Sequence, residues 1–526
     1  MFVDCRSPAS TPDLRCEICI AGSGMAGLGV ALGFVGRKER VVVLEAGGLE
    51  AEDDGQELFR GEVVGLSYHP LDRKRQRRFG GTSGIWGGTC ALLTPQDLAP
   101  RPWIPCAGWP LDEDELARHY PAANAILGIP AHEPQELETG LPPALKLTSD
   151  SFRHQLFAYS RPPTDLAARH YRALESSPTI LVALHATVLE VVRDAGQQRV
   201  SALRVDVGEE RSALVRARAF VLATGGLETP RLLLNSTAMD ERGIGNGHDR
   251  VGRYFMDHLY FIGGRIERPR GRWKKGYGRL AVAGLPVQRG ISLSDEAQRH
   301  EGIPNACIRL GKAIPARSTS RGYKALGRIA RAAARLRLPE QPRDRLRELV
   351  SDPGGLRRAL VELLDRRLYL RITSEQAPNP ESRVTLGSGR DRFGLHRLRL
   401  DWRLSEIDKH TVRRTLALLA TEFERLDAGT LRTSDWLAAN DDEIWAHHHV
   451  GGSHHMGTTR MALDPQQGVV DRHCRVHGLD NLLVMGPGVF PTGGYSNPTY
   501  AVIALASRLT EHLQARLAAG AWPARE

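Results

Sequence analysis

Aromatic residues make up only 6% of this 526-residue chain, and lysine occurs eight times against 63 arginines. The basic segment 312 to 371 holds a single aromatic before Tyr369, little with which to stack bases, which argues against nucleic acid as a partner. The arginine excess, alongside abundant alanine, glycine and leucine, reads as the default cation of a GC-rich coding sequence rather than a selected basic surface. No run approaches eighteen apolar residues, so a membrane span is not expected. The first fifteen residues include Asp4, Arg6, Pro8, Pro12 and Asp13 and hold no apolar signal-peptide core, so a cytoplasmic protein is expected. Cysteines are few and odd in number, at 5, 16, 19, 90, 106, 307 and 474, which fits reduced thiols better than a disulfide framework. Cys16 and Cys19 form a C-x-x-C, but in a strand they point to opposite faces and read as buried core.

What is present is ordinary soluble composition, 41% apolar and 25% charged, and enough length for two to three structural units. The net charge of +10 is local: residues 312 to 371 hold sixteen basic and six acidic side chains, an excess of ten. Within that segment Arg321, Lys324, Arg328, Arg331 and Arg335 recur at helical spacing among Leu, Ile and Ala, until Pro339 and Pro342 break the pattern. An amphipathic helix with solvated arginines is expected. Contact with a membrane surface or an acidic partner is the lesser alternative.

The N-terminal pattern is chemically specific. An apolar run, Cys16 to Ala21, leads into Gly22-Ser-Gly24-Met-Ala-Gly27, an Ala/Gly-rich stretch to Phe34, and a second run, Val41 to Leu44, that ends at Glu45. Strand, glycine turn, helix, strand and acid in that order are what a dinucleotide site requires. Gly22 allows the tight turn, Gly24 lets a pyrophosphate approach the helix N-terminus, and Gly27 lets the helix pack on the strand. Glu45 can accept hydrogen bonds from a ribose. The motif by itself leaves NAD and FAD open.

Three further segments choose between them: Arg78-Phe-Gly-Gly-Thr-Ser-Gly-Ile-Trp-Gly-Gly88, Val221 to Leu234 (VLATGGLETPRLLL), and Asn481 to Thr499 with an Ala/Leu-rich helix following. Together with the glycine turn they resemble the glucose-methanol-choline (GMC) flavoprotein oxidoreductases over residues 16 to 515. The resemblance implies an α/β fold, a Rossmann-like FAD-binding domain with an inserted α+β substrate domain of antiparallel sheet and helices. The FAD pieces would be 14–95, 180–255 and 440–526, and the substrate pieces 96–179 and 256–439, the latter holding the Arg-rich segment 312–371. Candidate strands there are Arg383 to Leu386 and Arg397 to Trp402, and Pro110 to Leu127 reads as one acid-capped helix. Implied flavin contacts are Gly80, Gly81, Thr82, Ser83, Gly87, Val188, Thr224, Gly225, Gly486, Pro498 and Thr499. Where pyranose oxidases attach flavin through a histidine, this chain has Ile85, so FAD is expected to be non-covalent.

Alcohol oxidation needs a base for the hydroxyl proton and a fixed geometry for hydride transfer. The segment Ser453-His454-His455-Met456-Gly457-Thr458-Thr-Arg460-Met461 is similar to the family's H-x-x-G-T-x-R-M. On that register His454 is the base, with His455 its rival, and Asn497 is the second active-site position. The His/Asn combination resembles the pyranose oxidases and related sugar oxidoreductases. Five histidines, 447 to 449, 454 and 455, lie close together, but closed zinc-like spacings with Cys or carboxylate partners are missing, so no metal site is expected.

The resemblance, with Glu375 to Leu386 (EQAPNPESRVTL), favours a sugar, glycoside or polyol as substrate, a bulky non-sugar alcohol of secondary metabolism being the alternative. The electron acceptor is left open among oxygen, a quinone and a redox protein. A different class of function, a membrane- or partner-binding flavoprotein acting through the basic segment, is the remote alternative.

Overall fold

The computed structural model describes residues 1–7, 14–132, 134–194, 196, 198–208, 211–311, 322, 325–326, 328–329, 332, 341–357, 367–449 and 452–522. Val41–Leu44 is a run of four apolar residues buried on both faces, the signature of a central parallel strand. It lies between Arg15–Ala21 and Ile180–Leu184, all parallel, with Phe2–Asp4 beyond the latter. On the other side of Arg15–Ala21 runs Ser212–Leu222, pairing Ile20 with Val221, and Leu482–Val484 follows in parallel. The strand ending in Ala-Thr-Gly thus returns beside the first dinucleotide strand. Val200–Asp206 and Thr187–Arg193 extend the sheet as an antiparallel meander.

The Met25–Leu32 helix packs on the C-terminal Pro498–Ala518 helix. Glycine makes that approach possible, since a Cβ at Gly29 would stand 2.9 Å from Cβ of Ala506. Cys16 and Cys19 are buried, and all seven cysteines are free, Cys106 alone being exposed.

A second eight-stranded sheet is antiparallel. Its order is Thr430–Thr433, Leu259–Glu267, Leu368–Ser374, Ala306–Gly311, Leu285–Leu293, Phe152–Tyr159 and Thr89–Cys90, with Arg279–Val282 paired to Leu285–Leu293. One face, including Ile308, Leu310, Leu370 and Ile372, is buried against Val412, Leu416, Leu419 and Phe423 of the Glu406–Arg425 helix. The opposite face carries Phe157, Tyr159 and Cys307, which pack on Tyr495. A third, small sheet joins Arg383–Arg390 to His396–Asp401 and, in parallel, to Gly61–Val63. The parallel layer with its helices and the antiparallel layer with its own make the expected α/β architecture.

Two expectations change. Pro110 to Leu127 is two helices, Glu113–Ala117 capped by Asp112 and Tyr120–Leu127 with proline in its first turn. Pro121 lacks the N–H that would continue the first helix and its ring crowds the preceding turn, so the chain restarts. The amphipathic helix expected in the Arg-rich segment falls largely outside the described residues, as does most of residues 312–371. Of it, Pro342–Ser351 is a separate helix with Pro342 in its first turn and no buried residue. Among the described residues no helix is long and apolar enough to cross a membrane.

Candidate active site

Gly22 follows directly on the Arg15–Ala21 strand with a φ of +99°, and a Cβ there would press 2.6 Å from the carbonyl oxygen of Ala223. Gly27 is tighter still, its Cβ position 1.9 Å from the Gly22 oxygen. Gly24 differs: nothing lies within 4 Å of its Cβ position, and Gly225 is equally open. Two glycines therefore serve packing while two border space. That space is a cavity of about 790 Å³ lined by Gly22, Gly24, Glu45, Gly81, Thr82, Gly87, Val188, Thr224, Gly225, Gly486, Pro498 and Thr499, and at one end by His454 and Asn497.

Three expected contacts stand elsewhere. Gly27 lies behind the turn, as its packing role requires. Gly80 does not line the cavity: its Cβ position abuts Ala167, and its N–H donates to Oγ of Ser23 at 3.1 Å. Ser83 is buried and turned away, its Oγ accepting from the N–H of Leu166 at 3.1 Å beside the helix cap Asp165. In a run of five small residues, spacing does not say which face the cavity.

Glu45 is buried and pins the turn: Oε2 accepts from the N–H and Oγ of Ser23, at 3.1 and 2.5 Å, and Oε1 from the N–H of Gly47 at 2.8 Å. Burial raises its pKa, the Ser23 and Gly47 bonds opposing. Oε1 keeps a lone pair for a further donor.

At the other end the hydrogen bonds run in one direction. Nε2 of His258 faces the carbonyl oxygens of Gly494 at 2.9 Å and Gly493 at 3.2 Å. Carbonyls only accept, so this nitrogen carries the proton. His258 is buried, which lowers its pKa and keeps the ring neutral, so its Nδ1 accepts from Nδ1 of His454 at 2.8 Å. His454 therefore presents a bare lone pair at Nε2, 3.1 Å from Nδ2 of Asn497. The Asn497 amide is oriented by Tyr260, whose hydroxyl donates to Oδ1 at 3.4 Å.

The loop that carries His454 is clamped by a carboxylate. Asp257 accepts from the N–H of His454 and of Ser453, each at 2.9 Å, and from the Tyr68 hydroxyl at 2.5 Å. Ser453 has a φ of +57°, a strained value for a side-chain-bearing residue that the clamp stabilises. Gly452 is required by the same group, since a Cβ would stand 2.4 Å from Oδ1 of Asp257. Burial alone would raise the Asp257 carboxyl, but His449, His454, His455 and the Tyr68 hydroxyl hold it well below the usual carboxylate range. Burial, then the neighbouring His258, pushes His454 down to about 3, so it is neutral and able to accept a proton at physiological pH. His455 is likewise pushed down to about 3 by burial and Arg75.

Sequence reasoning missed His258, Tyr260, Asp257 and a buried ion network in the cavity wall. Glu228 receives Arg75 at 3.0 Å and Arg231 at 3.1 Å, and Arg231 reaches Asp391 at 2.5 Å. The only signal was Asp257-His258 in sequence, a dipeptide with no informative spacing.

The fit of a dinucleotide can be tested on these residues. Arg77 Nε and His455 Nε2 are buried without a hydrogen-bond partner, and both residues line the cavity. Orphaned buried polar atoms next to open-sided glycines at a helix N-terminus are what a polar, anionic ligand would satisfy.

Comparison with known proteins agrees. Residues 378–506 match the family model described as GMC oxidoreductase. The chain carries the C-terminal domain of the GMC oxidoreductases. It is 23% identical to 2-methyl-1,2-propanediol dehydrogenase of Mycolicibacterium austroafricanum, over 95% of each chain. It is also 23% identical to 6'''-hydroxyparomomycin C oxidase of Streptomyces lividus, over 97% of this chain and 93% of that one. Formate oxidase of Aspergillus oryzae, in a structure concerned with FAD modification, superposes with a TM-score of 0.55 at 15% identity, covering 96% of this chain and 99% of the other. FAD is the cofactor of GMC oxidoreductases.

Proposed function

We propose that this enzyme oxidises a hydroxyl of a sugar, glycoside or polyol to a carbonyl, with His454 as base. The observation that carries the reading is the one-way hydrogen-bond series, which leaves Nε2 of His454 without a proton and Nδ2 of Asn497 with one, 3.1 Å apart. A substrate oxygen placed at both meets a proton acceptor and a hydrogen-bond donor at once. His454 takes the hydroxyl proton at Nε2, and Asn497 donates to the same oxygen as negative charge grows on it. His258 holds His454 in the competent tautomer and Tyr260 holds the Asn497 amide. The diol and the aminoglycoside in the relatives' names support a polyhydroxylated substrate.

FAD bound in the cavity supplies a two-electron hydride acceptor. The Gly22–Gly24 turn and the N-terminus of the Met25–Leu32 helix would hold its pyrophosphate, Glu45 and Val188 the adenosine side, and Gly81, Thr82, Thr224, Gly225, Gly486 and Thr499 the remainder. We assign residues 14–95, 180–255 and 440–526 to the FAD-binding domain and 96–179 and 256–439 to the substrate domain. The origin of the strands in the two large sheets supports this, except that Thr89–Cys90 joins the antiparallel sheet upstream of residue 95 and Phe2–Asp4 joins the parallel sheet ahead of residue 14.

The test is anaerobic mixing of the flavin-loaded enzyme with a panel of sugars and polyols. Bleaching of the flavin is expected with the wild type. His454→Ala should keep its flavin yet bleach at least about a hundredfold more slowly. An unchanged rate in that variant would remove His454 as the base.

A further inference from the structure

One cation beside the active site, Arg309, meets no carboxylate among the described residues. Arg309 projects from the Ala306–Gly311 strand on the sheet face that carries Tyr159 and Tyr260. Its Nη1 donates to the Tyr159 hydroxyl at 3.3 Å and its Nη2 to the Tyr260 hydroxyl at 3.4 Å. Both phenol oxygens accept from Arg309 while their hydroxyls donate onward, Tyr159 to Oε1 of Gln288 at 2.9 Å and Tyr260 to Oδ1 of Asn497. The Nε–H is buried and has no partner. A guanidinium has five N–H donors, so only two are satisfied among the described residues.

Three other enclosed arginines do pair with carboxylates, while Arg77 and Arg460 are buried with none at ion-pair distance among the described residues. Arg101 forks onto Glu375 at 2.6 and 2.7 Å, Arg75 meets Glu228, and Arg231 meets Glu228 and Asp391. A buried charge is ordinarily paired, since leaving it unpaired is costly. Around Arg309 the groups that bear most on its charge are Tyr260, Tyr159 and Cys307, none of them a carboxylate. The surroundings add cations: Arg371 stands opposite Arg309 across the two strands, and Arg279 and Arg161 lie 4.0 and 5.6 Å over the Tyr159 ring.

Tyr260 joins this group to the reacting one. Its ring lines the cavity, and its hydroxyl touches both Arg309 and Asn497. We propose that Arg309 binds an oxyanion on the substrate, so that the enzyme acts on alcohols bearing a carboxylate or phosphate near the reacting hydroxyl. This deepens, and rests on, the reading of the cavity as an alcohol-oxidising site. A polycationic amino sugar would meet like charge at Arg309, Arg279 and Arg161, so specificity here differs from that named for the Streptomyces lividus relative.

Two measurements on the flavin-loaded enzyme test it. In the first, labelled acetate and inorganic phosphate are titrated and observed by carbon and phosphorus NMR. Saturable line broadening is expected for wild type and His454→Ala, at least tenfold weaker binding in Arg309→Gln, and partial recovery in Arg309→Lys. The anion that binds more tightly distinguishes carboxylate from phosphate. Equal broadening in wild type and Arg309→Gln, or none in either, overturns the proposal. In the second, kcat/KM is compared for gluconate, glucose 6-phosphate, glucose and glucosamine. The ratio of anionic to neutral substrate should fall tenfold or more in Arg309→Gln, which a merely structural loss would leave alone. Faster oxidation of glucose or glucosamine than of both anions sinks the inference but not the oxidoreductase. Oxyanion binding that depends on Arg309 without flavin reduction by any alcohol does the reverse.

Discussion

His258 and His454 meet nitrogen to nitrogen, Nδ1 to Nδ1 at 2.8 Å, and only one of the two atoms can hold the proton. The carbonyls of Gly493 and Gly494 decide which. His258→Ala removes the acceptor that fixes the His454 tautomer, so kcat should fall on the order of tenfold to a hundredfold with KM nearly unchanged. It also removes the neighbour that, after burial, lowers the His454 pKa, so the acid limb of the kcat/KM profile should move to higher pH. His258→Gln, which can accept at its Oε1, should recover part of the rate. A lower rate with the acid limb unmoved would reduce His258 to a packing residue.

The glycine turn separates folding from cofactor binding. Gly27→Ala drives a Cβ into the Gly22 carbonyl and should yield little folded protein. Gly24 has a negative φ and open space at its Cβ position, so Gly24→Ala should fold but retain much less flavin. Circular dichroism and the flavin-to-protein absorbance ratio give the two readouts. Full flavin occupancy in Gly24→Ala would place the pyrophosphate elsewhere.

Ile85 lines the cavity and is 48% exposed, but it has no nucleophilic atom with which to bond a flavin. Acid precipitation should release all the yellow colour into the supernatant. Colour that stays in the pellet contradicts non-covalent binding.

Acid should destabilise the fold well above the carboxylate range. His454 and His455 have folded-state pKa values of about 3 against roughly 6.5 in the unfolded chain. Below about pH 6.5 the unfolded state binds more protons, so their contribution is complete above that value and is lost as pH falls toward about 3. Between about pH 7 and 5.5 the two together should cost roughly 2 to 3 kcal/mol. His69 and His512, pushed down by burial to about 4, add to the loss. Asp408, raised by burial to about 6, works the other way by less than one histidine. Urea midpoints at the two pH values check the sign, and an equal or higher midpoint at the lower pH refutes it.

The legible parts of the fold were those whose constraints are local in the chain. Gly22, Gly24, Gly27, the apolar Val41–Leu44 run and Glu45 answer to one turn and its two strands, so their spacing carries the geometry. His454 and Asn497 lie 43 residues apart, and motif resemblance alone joined them before the hydrogen bond at 3.1 Å did. His258, Tyr260 and Arg309 come from neighbouring segments of an antiparallel sheet whose register spans more than a hundred residues, from Leu259 pairing with Ser374. No local pattern records such a pairing. Gly80 and Ser83 failed for the opposite reason: five small residues in succession fit either side of a turn equally well.

The direction of the hydrogen bonds also limits where a proton can go. Passed inward from His454 to His258, it would reach the carbonyl oxygens of Gly493 and Gly494, which accept a hydrogen bond but relay nothing onward. The inner route is a cul-de-sac. With His454 as the proposed base, a proton taken from the alcohol leaves by the side from which it arrived, through the space that substrate and product occupy, so each catalytic cycle ties regeneration of the base to emptying of the cavity.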